Sequence, residues 1–65
     1  MKKLKYTLKE LRARANLTQE ELAKKLGLSR QSYINIEKEP RKASCKRMVE
    51  IAEILGVGIG DIFLS

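Results

Sequence analysis

The chain has 65 residues, which suffice for one domain with a modest core but leave no room for a deep catalytic cleft beside it. It contains no histidine and one cysteine, so a histidine-dependent enzyme, a transition-metal site and a disulfide framework are not expected. The net charge of +6 suits a polyanion such as nucleic acid or an acidic membrane surface, and no apolar run reaches about 18 residues, the length of a membrane span.

Capping boxes predict where the first two helices begin. In residues 7–10 and again in residues 18–21, a threonine precedes a glutamate by three positions, so each side chain can bond the backbone amide of the other residue. Gly27 is expected to end the second helix, because glycine readily adopts the left-handed conformation found there. The apolar residues at helical spacing are Leu8, Leu11 and Ala15 in the first helix and Leu22, Ala23 and Leu26 in the second.

Serine caps predict a third and a fourth helix. Ser29 caps the third, which ends at or shortly before Pro40. Ser44 caps the fourth, and Gly56 ends it. Ile54 is an apolar residue on the polar side of this fourth helix. The apolar arc expected to face the core is Cys45, Met48, Val49, Ile51, Ala52 and Leu55.

The two ends of the chain have weaker patterns. Residues 1–6 are expected to form an N-terminal arm or a short strand. Residues 59–64 are expected to form a short fifth helix or an apolar tail, and Gly58 and Gly60 weaken that helix. The sequence therefore predicts one all-α domain of five short helices that spans residues 1–65.

The second and third helices are separated by a very short turn, Leu26-Gly27-Leu28-Ser29. A turn of this length makes the two helices cross steeply, which is the arrangement of a helix-turn-helix unit. The small side chain of Ala23 lets the third helix approach closely. The predicted apolar seam between the helices is Leu22, Leu26, Leu28, Tyr33 and Ile36.

Two segments resemble the lambda-repressor-like helix-turn-helix family, also called the Cro/C1 type. They read LTQEELAKKLGLSRQSYINIE from residue 17 and SCKRMVEIAEILGVGIGDIF from residue 44. The resemblance covers about Leu8 to Phe63 and implies a five-helix fold that reads the DNA major groove with its third helix, usually as a dimer. We therefore expect a sequence-specific regulator of transcription, a repressor or Cro-like protein, that binds double-stranded DNA on a two-fold-related operator.

The outer face of the third helix carries side chains suited to reading bases. If the apolar residues point inward, Gln31 points directly away from the core, flanked by Arg30, Ile34 and Asn35. Glutamine and asparagine can pair with adenine, arginine can pair with guanine, and an aliphatic side chain can contact a thymine methyl group. Any one of these residues could equally belong to an ordinary solvated helix face, but as a set they are the predicted base-reading residues.

Contacts to the DNA backbone follow from the resemblance. The family's matching glutamine contacts a phosphate and braces the recognition helix, and its loop after that helix lies along the phosphates. Here Lys38-Glu39-Pro40 stands where the family usually has glycine, which leaves the course of this loop open, and the basic cluster that continues to Lys46 and Arg47 could simply be solvated. Ser29 is equally well explained as a cap alone. The predicted phosphate contacts are Gln19, Ser29, Ser32, Lys38, Arg41 and Lys42.

Two further roles are structural or concern assembly. The family pairs the positions of Arg12 and Glu37 in a partly buried salt bridge, so we expect this pair to stabilise the fold. Because one small module makes few base contacts, we expect a homodimer. Val57 and Phe63 are expected to close the core, as is Cys45. The candidate interface residues are Ile54, Ile59 and Leu64.

A second function from a different class stays open. The same fold could serve as an antitoxin-type or other protein-interaction module, whereas a strong, salt-sensitive affinity for one operator without a partner would favour the regulator. We expect no enzyme activity, no cofactor, no small-molecule ligand and no membrane association. Residues 1–5 are basic but no signal-peptide apolar stretch follows, so we expect a cytoplasmic, nucleoid-associated protein encoded by a bacterium or phage.

Overall fold

The computed structural model describes residues 5–62, and this part of the chain confirms the predicted all-α fold. Short connections join its elements, which include two 3₁₀ turns: Pro40–Lys42 after the third helix and Ile59–Asp61 after the fourth. The α-helices of this part are α1 (Leu8–Arg14), α2 (Gln19–Leu26), α3 (Arg30–Lys38) and α4 (Cys45–Leu55).

Side-chain caps fix the start of each α-helix at the predicted residue. In the first capping box, the Thr7 amide donates to Glu10 Oε1 at 2.9 Å and the Glu10 amide donates to Thr7 Oγ1 at 3.2 Å. Thr18 and Glu21 form the same reciprocal pair at the start of α2. The Ser29 and Ser44 hydroxyls each accept an amide proton from the third residue of their helix. These bonds satisfy amides that have no partner inside the helix.

Glycine ends α2 and α4, as predicted. Gly27 and Gly56 have φ angles of 73° and 72°, which lie in the left-handed region. A Cβ atom at either position would meet nothing within 4 Å, so the backbone angle and not crowding favours glycine there. The angle at Gly27 redirects the chain from α2 into α3.

The core lies where α2, α3 and α4 meet. Leu22, Tyr33 and Ile51, one from each of these helices, are its largest fully buried side chains. This seam confirms the inward orientation predicted for Tyr33, while Leu26, Leu28 and Ile36 pack around it half-buried. The buried apolar residues are Leu8, Leu11, Leu22, Ala23, Tyr33, Met48, Ile51, Ala52 and Ile62.

Several side chains do not face the way the sequence predicted. Ala15, Cys45 and Val49 are exposed, so the core positions expected for them are wrong. Ala15 lies past the end of α1. Val49 lies about 160° around α4 from the buried Ile51, whereas Ile54 lies only about 60° from it. Ile54 is accordingly half-buried and packs against the core.

The ends of the described chain meet each other. The Tyr6 amide donates to the Asp61 carbonyl at 2.9 Å, and Tyr6 forms a single parallel bridge with Ile62, so the predicted short strand is reduced to one residue pair. Instead of a fifth α-helix, the described residues contain only the 3₁₀ turn Ile59–Asp61. Phe63 and Leu64, which the sequence placed in the core and at the interface, lie outside residues 5–62. Within that range, no helix is long and apolar enough to cross a membrane.

Candidate nucleic-acid interface

The outer face of α3 presents the predicted base-reading residues. Because Tyr33 has no exposed surface, the opposite side of the helix faces solvent. Arg30, Gln31 and Asn35 are exposed there, and Ile34 is half-buried at the margin. The helix therefore offers three polar side chains and one partly covered aliphatic side chain on a convex surface.

Two of these side chains are bonded to each other. Gln31 Nε2 donates to Asn35 Oδ1 at 3.0 Å, across one turn of α3. Residues four positions apart lie on the same helix face, so the sequence spacing permits this bond. The sequence alone did not indicate this pairing, although the two amides are four positions apart.

The start of α3 holds two exposed hydroxyl groups. Ser29 Oγ accepts a hydrogen bond from the Ser32 amide at 3.1 Å and donates to Ser32 Oγ at 2.9 Å. The Ser29 hydroxyl is thus used in capping, whereas the Ser32 hydroxyl keeps its own proton for an outside acceptor.

A half-buried polar network ties α3 to α1 and α2. Arg12 Nε donates to Glu37 Oε2 at 2.6 Å, and their side chains are only 14% and 9% exposed. Arg12 Nη1 also donates to the Leu17 carbonyl at 2.8 Å. Gln19 Nε2, at the start of α2, donates to Glu37 Oε1 at 3.2 Å. Glu37 therefore joins three elements and fixes the tilt of α3.

Charge in this network is fixed by its hydrogen bonds. Burial alone would raise the pKa of Glu37, but the hydrogen bonds it accepts, led by that of Arg12, outweigh burial and lower it. The bond to Glu37 likewise raises the pKa of Arg12. Burial raises the pKa of Tyr33 well above its usual range. Its hydroxyl lies near Arg12 and Glu37 but makes no hydrogen bond within residues 5–62. Arg12 and Glu37 thus stay charged and Tyr33 stays neutral at pH 7.

Basic residues continue from the end of α3. Lys38 is exposed in its last turn, and Arg41 and Lys42 are exposed in the 3₁₀ turn that follows. Lys42 Nζ lies 3.2 Å from Glu39 Oε2. Both side chains are so exposed that Lys42 can leave Glu39 for another anion at little cost. Pro40 is buried and anchors the turn, which gives the loop a defined course without a glycine.

Arg47 does not belong with these basic residues. Its Nη1 lies 3.4 Å from the Leu26 carbonyl at the end of α2 and 3.1 Å from Glu50 Oε1. A guanidinium at this position satisfies a carbonyl that the helix leaves without a partner. Arg47 therefore braces α2 against α4, a long-range contact that no local pattern in the sequence indicated.

Two open clefts bring candidate residues together at opposite ends of α3. At its start, Gln19 and Arg30 line one cleft together with Thr18. At its end, Asn35 and Lys42 line another beside Glu39. Each cleft thus brings one predicted base-reading residue next to one predicted phosphate-binding residue. The described residues contain no cluster of His, Cys, Asp or Glu suited to a metal ion.

The candidate interface residues differ in exposure. Ile59 is 46% exposed, which together with Val49 at 41% makes it one of the two exposed large apolar side chains among the described residues. Ile59 lines a mostly apolar cleft with Cys45 and Met48. Ile54 has less free surface because it packs against the core.

The chain is similar to known helix-turn-helix proteins over most of its length. The Cro/C1-type helix-turn-helix family matches residues 8–62. An uncharacterized HTH-type transcriptional regulator of Methanocaldococcus jannaschii is 54% identical over 61 residues, which cover 94% of this chain and 92% of the relative. Two uncharacterized HTH-type transcriptional regulators of Archaeoglobus fulgidus are 42% and 37% identical, over 88% of this chain and 80% and 81% of those relatives. No solved structure matches the chain.

Proposed function

Because the chain belongs to the Cro/C1-type helix-turn-helix family of DNA-binding transcriptional regulators, we propose that it is a repressor or Cro-like protein that inserts α3 into the major groove of a specific operator. One observation carries this proposal: α3 buries Tyr33 completely, presents Arg30, Gln31 and Asn35 outward, and is held by the Glu37 network. A rigidly placed helix with polar side chains outward can meet base edges in a reproducible register.

The base-reading residues we propose are Arg30, Gln31, Ile34 and Asn35. The guanidinium of Arg30 suits guanine, the amides offer donors and acceptors to base edges, and the uncovered part of Ile34 suits a thymine methyl group. All four lie on α3, where Arg30, Gln31 and Asn35 are exposed. They would supply sequence preference, while contacts around them supply affinity.

The proposed phosphate contacts lie around both ends of α3. Gln19 sits at the start of α2 beside Arg30, and its carbonyl oxygen is directed by the bond from its amide to Glu37. The hydroxyl of Ser32 and the cations of the turn after α3 complete the surface. The proposed set is Gln19, Ser29, Ser32, Lys38, Arg41 and Lys42, in which Ser29 would have to give up its bond to Ser32 Oγ to donate to a phosphate.

A homodimer is part of the proposal. Two copies related by a two-fold axis would place their α3 helices in successive major grooves, on half-sites about 34–36 Å apart. The exposed apolar surface at Ile59 supports a contact between copies through the turn after α4, and we place Ile54 at most at its edge. A regulator that binds chromosomal DNA would act in the cytoplasm.

Selection of bound sequences from a random DNA pool tests the proposal directly. We expect enrichment of a two-fold symmetric site whose half-sites are one helical turn apart. Failure to enrich any sequence would refute sequence-specific binding, and a single asymmetric half-site would refute the dimer.

Replacing Gln31 with alanine should reduce affinity mainly for the selected site. Loss of a base contact at the centre of the α3 surface is expected to cost about 1–3 kcal/mol on the cognate site and little on random DNA. Titrations of labelled cognate and random duplexes, at one salt concentration, measure both values. An equal loss on both duplexes would remove Gln31 from the base-reading set.

Replacing Lys42 with alanine should weaken binding to all sequences alike. If Lys42 contacts one phosphate, its loss should reduce the slope of log affinity against log salt by about 1. Lys25→Ala is a matched control, because it removes the same charge from an exposed site on α2 beside Glu50 and Glu53. A slope that changes equally in both variants, or in neither, would count against a phosphate contact at Lys42.

A further inference from the structure

The exposed face of α4 carries an apolar side chain between two charges of opposite sign. Val49 is 41% exposed, one of the two exposed large apolar side chains among the described residues. Lys46 lies three residues before it and Glu53 four residues after it, and both are exposed. At about 100° per residue, the two charges lie within about 60° of Val49 and about 20° of each other around the helix. We call these three residues the α4 stripe.

Neighbouring elements flank the α4 stripe without covering it. On one side α4 borders α2, in a cleft lined by Lys25 and Glu50. On the other side α4 borders the turn that follows it, in a cleft lined by Cys45 and Ile59. Ile59 is the second exposed large apolar side chain, so it extends the apolar surface beyond Cys45. Val49 is exposed between the two clefts.

The two charges of the α4 stripe form no ion pair with any residue in the range 5–62. Glu50, one turn after Lys46, is instead paired with Arg47 at 3.1 Å. The positions three and four residues from Glu53, in either direction, carry no basic side chain. Lys25 lines the same cleft as Glu53 without forming a salt bridge to it. Both charges are therefore free to meet a partner.

We infer that two copies of this chain meet at the α4 stripe, with their α4 helices antiparallel across a two-fold axis. The inference deepens the proposed homodimer and rests on it, because it names the surface that joins the copies. Val49 lies at the centre of this contact, and Ile59 lies toward its edge.

The spacing of the two charges favours a second copy of this chain as the partner. Lys46 and Glu53 are seven residues, or about 10.5 Å, apart along α4, and their midpoint lies beside Val49. A two-fold axis through this midpoint brings Lys46 of each antiparallel helix level with Glu53 of the other. The contact then has two identical ion pairs around two valines. A parallel arrangement would instead place like charges opposite each other.

Charge reversal tests the contact without DNA, by sedimentation velocity at increasing protein concentration. The wild type should dimerise. Lys46→Glu and Glu53→Lys should each weaken the dimer by about tenfold, because each change turns two attractive pairs into two repulsive ones. The variant that carries both changes should dimerise as the wild type does. Both positions are exposed, so circular dichroism should show unchanged helix content.

A mixture of the two single variants separates contacts between copies from contacts within one chain. In a mixed dimer, the Lys46→Glu copy supplies two carboxylates and the Glu53→Lys copy supplies two ammonium groups, so both pairs are attractive again. The mixed dimer should therefore be as stable as the wild-type dimer. Native mass spectrometry identifies it when one variant is isotopically labelled.

Lys9→Glu provides the matched control for the mixture. Lys9 is exposed on α1, and its reversal gives the same net charge as Lys46→Glu. Mixed with Glu53→Lys, it leaves one pair of like charges in the mixed dimer. This mixed dimer should be weaker than the one formed by Lys46→Glu and Glu53→Lys, whereas Lys9→Glu alone should dimerise as the wild type does.

Replacing Val49 with glutamate tests the apolar centre of the contact. The change places two like charges beside the two-fold axis, so Val49→Glu should remain monomeric at concentrations where the wild type is dimeric. Val49→Ile is the control, because it keeps the position apolar and should keep the dimer. Equal self-association of Val49→Glu and the wild type would show that Val49 is not in the contact.

Three further results would overturn the inference. These are a wild type that stays monomeric up to about 1 mM, a dimer that neither charge reversal weakens, and a mixture of the two variants that behaves like its control. Failure of the DNA proposal is distinguishable from these results. A chain that dimerises through the α4 stripe but enriches no DNA sequence would overturn the proposed function, while the assignment of the contact would stand.

Discussion

Replacing Glu37 with alanine is expected to lower the free energy of unfolding by about 3–5 kcal/mol. The change leaves the Arg12 guanidinium, only 14% exposed, without its carboxylate, and it also removes the acceptor of the Gln19 amide. A domain of this size has a total stability on the order of 3–10 kcal/mol, so the variant should be at the edge of unfolding. Urea unfolding followed by circular dichroism measures the difference.

Glu50→Ala provides the matched control for this substitution. It breaks the Arg47–Glu50 pair, whose side chains are 31% and 44% exposed. A pair so accessible to water contributes less than about 1 kcal/mol. Equal losses in the two variants would show that burial of the Arg12–Glu37 pair does not carry the effect.

The same pair makes stability depend on acid. The pKa of Glu37 is lower in the folded chain than the ordinary value of 4.5. The stabilisation it gives is therefore fully present above the unfolded pKa and is lost as the pH falls through the folded value. Other carboxylates add to this slope, Glu21 among them, because its bonds to Thr18 lower its pKa. The difference between wild type and Glu37→Ala should therefore be constant above about pH 5 and shrink below it. A difference that grows on acidification would contradict this.

Replacing Leu22 with alanine is the second large effect that we expect, about 2–5 kcal/mol of lost stability. Leu22 has no exposed surface and lies in the core where α2 meets α3 and α4, so its truncation leaves a cavity beneath α3. Operator affinity should follow the folded fraction, and it should recover when the temperature is lowered well below the midpoint of unfolding.

Leu26→Ala is the control for Leu22, since it makes the same chemical change in the same helix. Leu26 is half-buried, so it should lose less stability than Leu22. Thermal and urea unfolding of the two variants give the comparison. A larger loss at Leu26 would mean that the seam between the helices is packed around a different centre.

Local features of the fold could be predicted well because they depend on interactions between residues that are close in the chain. A capping box needs only a threonine and a glutamate three positions apart, and Thr7 and Thr18 begin their helices as predicted. The left-handed angle at Gly27 is likewise a property of one residue. The short turn around it and the inward Tyr33 together determined which face of α3 turns outward, and thus the surface proposed to bind DNA.

The side of α4 that faces the core was decided only by tertiary packing. Helical spacing alone gave an apolar arc that included Cys45 and Val49, yet both are exposed, while the omitted Ile54 packs against the core. The predicted arc was too wide. A rotation of about 100° per residue gives the order of side chains around α4 but not the position of the elements that pack against it. The contacts from α2 and the turn after α4 set that position.

The bonds that organise the candidate site show the same division. The sequence by itself determined the caps, the helix-turn-helix turn and the polar set on α3, because each depends on residues close in the chain. Only the tertiary structure decided that Arg47 reaches the Leu26 carbonyl and that Gln19 bonds Glu37, residues 21 and 18 positions apart. Polar side chains of this length have many possible partners, and which one they meet depends on how the helices pack.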